Sequence, residues 1–355
     1  MQQKNKKQDK LHYFLLILMC FIVSFLITES TLRCLHVAPT LPVGRNLYRP
    51  DKYLPYLTRP SISVPVSLEN SELTFLCKHN SEGLRDVEHT KEKPKGTVRI
   101  LGLGDSFTYG FGVAYEDTYL CLLEKKLNDS PLLTQQVEII KAGIPGSFPQ
   151  TQRIFLEHYG KDYDPDLIIV GFLPNDVVNT NAGINYFKVT KEGDLIVFNT
   201  NWFYRALRFL YFKSHLWRII FRATYWQLSA KFFDHWEDVY KKDGFHEKNW
   251  KKIENEYTKI LTIARNTGAR LVIVHIPESI LPSKDSHRTY PAERLSEWCK
   301  ENDATFIDTL PFFIREGDFK KLFFNDGHCN ENGHKIIAQA IYSQLLSSKL
   351  IPSHE

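Results

Sequence analysis

Arg99-Ile-Leu-Gly-Leu-Gly-Asp-Ser-Phe-Thr-Tyr-Gly110 decides the fold. An apolar run of strand length breaks at glycine and delivers a serine at its carboxyl end. In an open α/β sheet, ligands gather outside the carboxyl ends of the strands, where loops converge and the next helix begins. Ser106 therefore stands in a catalytic kind of place. Gly104 removes bulk beside it, and the Ser106 N–H, in the first turn of a predicted helix, has no intrahelical partner. Asp and Ser are also good helix N-caps, so Gly-Asp-Ser admits a purely structural reading as well.

Outward from this stretch the chain alternates. Val98–Leu103, Val137–Lys141, Leu167–Phe172, Arg270–Ile276 and Thr305–Ile307 read as strands. Thr118–Leu127, Gln150–Tyr159, Trp250–Asn266, Pro291–Asn302 and Glu331–Leu346 read as helices, the last with Ile336, Ile337, Ala340, Ile341 and Leu345 at helical spacing. Leu167–Phe172 is almost wholly apolar, as a strand covered on both faces must be. This alternation predicts an α/β fold with a doubly wound parallel sheet of about five strands.

Between Asn179 and Asn249 the alternation lapses. Trp202, Trp217, Trp226 and Trp236 fall here, and Trp250 just beyond, five of the chain's six tryptophans. Arg205, Arg208, Lys213, Arg218, Arg222 and Lys231 face only Asp234 in acidic charge over residues 202–234. A basic, aromatic, helix-compatible insertion suits a membrane interface or a lid over the site. Aromatics that simply pack on the domain are the plainer reading.

The amino terminus carries a second organising signal. Lys4, Lys6, Lys7 and Lys10 precede an uncharged, mostly apolar run from Leu11 to Thr28, ended by Glu29 and Arg33. That run is about the minimum for a membrane-spanning helix, and lysines ahead of it favour a cytoplasmic amino terminus with the rest outside. No Ala-x-Ala-like site follows Thr28, and Met19 before Cys20 does not fit a lipoprotein site, which favours an uncleaved anchor in the cytoplasmic membrane over a signal peptide. The expected organisation is a tail over 1–10, an anchor over 11–28, a stalk or arm over 29–75 and one domain over 76–350 with an insertion at 179–249. Pro39, Pro42, Pro50, Pro55, Pro60 and Pro65 disfavour helix in the stalk or arm. Asn80–Asp86 then reads as a turn whose Arg85 is expected on the surface in an ion pair, with a ligand contact as the alternative.

With 43% hydrophobic and 24% charged residues, the 355-residue chain can bury a sizeable core. A net charge of +4 without dense Lys/Arg runs excludes nucleic acid as the expected partner. Cys20 and Cys34 lie in or beside the span. Cys77, Cys121, Cys299 and Cys329 would be exported, where disulfides persist, and their spacing does not choose a pairing. No CxxC spacing occurs, so no structural zinc is expected, and the four blocks described next imply no metal or organic cofactor.

Four blocks stand at carboxyl ends of predicted strands: Gly-Asp-Ser106, Ala-Gly-Ile-Pro-Gly146, Gly171-Phe-Leu-Pro-Asn175-Asp176, and Asp326-Gly-His328 ahead of the last helix. Together they hold what acyl transfer needs: a hydroxyl, an imidazole to take its proton, a carboxylate to orient the imidazole, and oxyanion donors. Independent turns and helix caps would not be expected to match all four in order. His334, inside the last predicted helix, is an alternative base but is expected at the surface of its first turn. His275, in an apolar strand, is expected to be a satisfied core histidine.

In these blocks the chain resembles the SGNH (GDSL-type) hydrolase superfamily, named for Ser, Gly, Asn and His, over about residues 80–345. The resemblance implies a flavodoxin-like three-layer α/β/α sandwich. Position by position it implies Ser106 as nucleophile, His328 as general base and Asp326 as its orienting carboxylate. Ser106 N–H, Gly146 N–H and the Asn175 amide are implied as the oxyanion hole. The commonest family spacing puts two residues between Asp and His. Here only Gly327 intervenes, and alternate residues of an extended segment hold their side chains roughly 6–7 Å apart unless a turn at glycine shortens the gap. Asp-x-His spacing is similar to a membrane-anchored or exported branch acting on acylated polysaccharides, although Cys329 stands where an aromatic or proline is expected. The implied activity is a serine esterase acting outside the membrane on an O-acylated glycan or another ester. The alternatives are an O-acyltransferase modifying a cell-surface polysaccharide and a non-catalytic glycan-binding or assembly module.

Overall fold

A computed structural model describes residues 2–35, 46–67, 74–191, 193, 195–197, 202–221, 223–224, 244–279 and 289–351. The chain forms two compact units, 1–41 with 199–233 and 42–198 with 234–355.

Five strands centre the larger unit: β1 Thr97–Gly104, β2 Gln136–Gly143, β3 Leu167–Phe172, β4 Arg270–His275 and β5 Thr305–Asp308, in spatial order β2-β1-β3-β4-β5. All pair in parallel, with registers such as Ile100↔Ile139, Ile100↔Leu167, Val272↔Ile169 and Val274↔Ile307. Helices Tyr119–Asn128, Pro149–His158, Gly244–Asn266 and Tyr290–Glu301 lie between the strands in the chain, and Glu331–Ser347 follows the last. The period-2 and period-3.6 patterns locate these elements within two residues, except that the helix anticipated from Trp250 begins at Gly244.

Alternation along β1 sends Val98 and Ile100 to one face, Leu101 and Leu103 to the other. The first face packs with Leu120, Leu123, Ile337 and Ile341, and the second with Phe155, Trp250, Tyr257 and Leu295. All six residues of β3 are buried. The result is the anticipated three-layer α/β/α sandwich. Trp250, counted with the basic insertion on sequence, is instead a core residue against Phe172 and Tyr290, with ring centroids 5.9 and 5.8 Å away.

The proline-bearing segment ahead of the sheet folds back twice. Tyr48–Arg49 pairs antiparallel with Leu57–Thr58, and Ser63–Ser67 with Thr74–Lys78. Leu47, Leu54, Tyr56, Leu57, Val66, Phe75 and Cys77 all join the core of the second sheet face. Cys77, Cys121, Cys299 and Cys329 are free thiols, so the disulfides an oxidising compartment would permit are not formed.

The smaller unit contains helix Gln2–Leu35, helix Trp202–Lys213 and helical residues 215–221. Lys10–Leu35 is an apolar stretch of 26 residues and mean hydropathy 2.4, long enough to cross a membrane. At ~1.5 Å per residue it is about 39 Å long, against a hydrocarbon core of about 30 Å. Its large side chains from Leu11 to Ile27 are exposed, as are Phe209, Leu210 and Ile220. Glu29 caps residues 215–221, accepting from Ser214 Oγ and the N–H groups of His215 and Leu216 at 2.9, 2.9 and 3.0 Å. Trp217 is half-buried, whereas Trp226, Trp236 and the Trp202 side chain lie outside the described residues.

The outer edge of β2 is guarded by charge. Asp86 accepts from Lys141 N–H at 2.8 Å and from Lys141 Nζ at 3.2 Å, and Arg99 Nε donates to Glu138 at 2.7 Å. His89 bridges the two carboxylates, Nε2 2.9 Å from Asp86 and Nδ1 2.7 Å from Glu138. Burial and Lys141 oppose a charge on His89, but the bonds to Asp86 and Glu138 outweigh them and raise its pKa. A raised histidine pKa contributes stability that is fully present below the unfolded-state value and is lost as pH rises through the folded value. Denaturant titrations from pH 5.5 to 9 are therefore expected to show His89→Gln destabilised most at pH 5.5, with the deficit shrinking as pH rises. A deficit that grows with pH would contradict the bridging imidazolium.

Candidate active site

β1 ends at Gly104, and the chain turns at once into the four-residue helix Ser106–Tyr109. Asp105 caps that helix, its Oδ1 accepting from Phe107 N–H at 2.9 Å. The capping role open to either residue on sequence thus falls to Asp105, and the Ser106 hydroxyl is free for another partner. That partner is His328, whose Nε2 lies 2.9 Å from Ser106 Oγ. His328 Nδ1 lies 2.9 Å from Asp326 Oδ2, and His328 N–H donates to Asp326 Oδ1 at 3.1 Å.

The one-residue spacing works because the segment is not extended. Gly327 sits at φ +93°, in the left-handed region open to glycine, and its N–H donates to Phe324 O at 3.0 Å. Phe324 N–H donates to His328 O at 2.8 Å, and Phe323 bridges to Cys329. This turn folds the Asp326 carboxylate back onto the ring two residues on. Cys329 fits for its size: its Cβ and Sγ come within 2.9 and 3.2 Å of where Gly333 would carry a Cβ. Phe107 and Phe111 flank the imidazole, with centroids 5.0 and 5.2 Å away. Burial pushes the Asp326 carboxyl up, but the bonds and charge of His328 outweigh it and hold it below its usual pKa.

The loop carrying Gly146 is tied to the end of β1, since Ile144 N–H and Ser147 Oγ both donate to Gly104 O, at 2.9 and 2.7 Å. Asn175 begins the helix after β3, and its Nδ2 is 3.4 Å from Asp105 Oδ2. Asp176 is enclosed beside them. Its own burial, then the neighbouring Asp105 charge, pushes its carboxyl well above the usual range, which favours the protonated form. The four sequence blocks thus converge on the carboxyl ends of β1, β2 and β3 and on the segment after β5. Among the described residues, no group of three or more His, Cys, Asp or Glu is arranged to hold a metal ion.

The two other histidines are occupied elsewhere. His334 is buried, contrary to the surface position anticipated for it. Its Nδ1 accepts from Tyr119 N–H at 3.1 Å, and burial lowers its pKa to about 3. The reason is tertiary: the first turn of Glu331–Ser347 packs on Tyr119–Asn128. His275 is also buried, 2.8 Å from Asp308 on the adjacent strand.

The chain matches the GDSL-like lipase/acylhydrolase family over residues 103–336, or 234 of its 355 residues. It belongs to that family. No curated protein matches it. Solved structures similar to it include TesA (13% identity, covering 71% of this chain and 99% of that one, TM-score 0.44). Another is the psychrotrophic esterase EstA from Pseudoalteromonas sp. (13%, 71% and 98%, TM-score 0.43). A third is Axe2, an acetylxylan esterase from Geobacillus stearothermophilus (13%, 70% and 94%, TM-score 0.43). As a member of the GDSL-like lipase/acylhydrolase family, this protein is a hydrolase of ester bonds.

Sequence reasoning missed the part that the segment just ahead of β1 plays in this hydrolase. Arg85, expected on the surface, is buried and donates to the carbonyls of Tyr109, Gly110 and Val113 at 3.1, 2.6 and 2.7 Å. It therefore clamps the chain leaving the Ser106 helix, and no local pattern marks an arginine whose partners are carbonyls 24 to 28 residues on. Arg85→Met strips donors from three carbonyls and is expected to lower the unfolding free energy by roughly 2–4 kcal/mol. Urea titration of the two proteins measures it.

Proposed function

We propose that the protein is a serine acyl-ester hydrolase with Ser106 as nucleophile, His328 as general base and Asp326 as the carboxylate that orients and stabilises the imidazolium. The observation that carries this reading is the unbroken chain from Ser106 Oγ through His328 to Asp326, with both links at 2.9 Å. Ser106 Oγ attacks the ester carbonyl carbon as its proton passes to His328 Nε2. The carbonyl π pair moves onto oxygen, where the N–H groups of Ser106 and Gly146 and an Asn175 amide hydrogen stabilise it. Collapse breaks the bond to the alkoxy oxygen, which leaves with the proton from His328. Water, deprotonated by His328, then releases the acid and restores Ser106.

The substrate we infer is an O-acylated glycan or another ester outside the cytoplasmic membrane. Residues 11–28, within the apolar stretch Lys10–Leu35, would be the anchor, with residues 1–10 in the cytoplasm, the arm leading from it to the hydrolase domain and the basic insertion at the lipid surface. The length and exposure of the apolar helix, and the exposed Phe209, Leu210 and Ile220, support this placement. A sugar hydroxyl in place of water would make the same site an O-acyltransferase. The two differ in whether the acyl group leaves as free acid or appears on added polysaccharide.

A fluorophosphonate probe is expected to label the full-length protein in detergent and to label neither Ser106→Ala nor His328→Ala. Asn175→Ala is expected to lose on the order of 100-fold in kcat on a small ester. A folded wild type that resists the probe, or full activity in Asn175→Ala, contradicts the assignment. A reporter active only outside the cytoplasm, fused after Glu355, is expected to be active; activity from a cytoplasm-only reporter there reverses the orientation.

A further inference from the structure

The loop carrying Gly146 is a tight turn whose central peptide can face two ways. Ser147 N–H donates to Ile144 O at 2.9 Å, and Gly146 has φ +78°. That closure with a positive φ at the third residue is a type II turn. In a type I turn the ends stay joined, but the peptide between the second and third residues is rotated by about half a turn. A trans peptide holds its C=O and N–H in opposite directions. Whatever holds the Pro145 carbonyl therefore sets where the Gly146 N–H points.

That holder is Tyr56, from the amino-terminal arm. Its hydroxyl donates to Pro145 O at 3.0 Å, and its ring is buried, edge-on to Tyr48 at 5.6 Å and Phe187 at 6.3 Å. Burial, then the Tyr48 and Asp105 charges, pushes its phenol well above the usual range, so it remains a donor at neutral pH. The turn's ends are secured separately by the Ile144 and Ser147 bonds to Gly104 O. The central peptide is what remains to be oriented.

We propose that Tyr56 is a positioning residue for acyl transfer: its hydroxyl locks the Pro145–Gly146 peptide in the orientation that aims the Gly146 N–H at the oxyanion. The proposal rests on the reading of Ser106 as nucleophile and Gly146 as donor. Tyr56 lies outside residues 103–336, so the arm contributes to chemistry performed by the family-matched region. The interaction acts on a donor that matters only once charge develops on oxygen, so its loss falls on kcat and leaves substrate affinity alone.

The test compares wild type, Tyr56→Phe, Tyr48→Phe and Ser106→Ala, each full-length in detergent, hydrolysing p-nitrophenyl acetate. Tyr56→Phe keeps the ring and removes one oxygen. It is expected to lower kcat about 10- to 100-fold, with KM within about twofold, and to slow fluorophosphonate labelling in parallel. Tyr48→Phe, losing a hydroxyl from the same ring cluster, is expected to keep kcat within about twofold. Unchanged kcat in Tyr56→Phe beside an inactive Ser106→Ala overturns the positioning role and leaves the serine mechanism standing. Equal losses in Tyr56→Phe and Tyr48→Phe assign the effect to packing and also overturn it. Activity surviving in Ser106→Ala overturns both readings.

Discussion

A parallel sheet packed on both faces has little room for polar chemistry except at the ends of its strands. Here β3 is buried throughout, and the residues of β1 and β4 alternate between two apolar layers. Every connection carries the chain back through a helix to the end where the strands begin, so each strand delivers its last residue to the same end of the sheet. That constraint brings Ser106 within hydrogen-bond reach of a histidine 222 positions later in the chain. The loops bearing Gly146 and Asn175 arrive there for the same reason.

The cost of this arrangement is buried charge, and the fold offsets it by pairing. Arg99 is wholly enclosed yet donates to Glu138 and to backbone carbonyls, and Lys141 contacts Asp86 and Glu124. Breaking one partner of such a pair leaves the other charge desolvated, which is why these networks are sensitive to single substitutions. At the site the same physics separates three carboxyls by environment. Asp326 is held in its ionised form by the imidazole, whereas Asp105 and Asp176, enclosed side by side, are both raised, Asp176 the more.

Segments ahead of β1 reach the carboxyl ends of β1 and of its neighbour β2. Arg85 holds the chain leaving the Ser106–Tyr109 helix, and Tyr56, from the amino-terminal arm, holds the carbonyl of the Gly146 turn. Phe187 and Leu195, from the short hairpin after β3, also border Gly146, within 3.3 and 3.1 Å of where a Cβ would stand. Segments outside the four blocks thus pack around the Gly146 turn.

Periodicity and punctuation sufficed for much of this. Strand and helix limits, the three layers, the four blocks and the apolar amino-terminal helix were legible because each depends on residues near one another in the chain: alternation within a strand, spacing along a helix, a glycine at a turn. The Asp326-Gly-His328 turn was legible as feasible, because Gly327 is the one residue there without a Cβ. Other features were decided only by tertiary structure. Arg85 read as a surface charge and His334 as a surface histidine, and both are buried by elements distant in sequence. The proline-rich arm carried no period, so nothing local marked Tyr56. A side chain's local pattern records its neighbours along the chain, whereas its burial and hydrogen-bond partners are set by which layers meet, and that is fixed only when the whole sheet is covered.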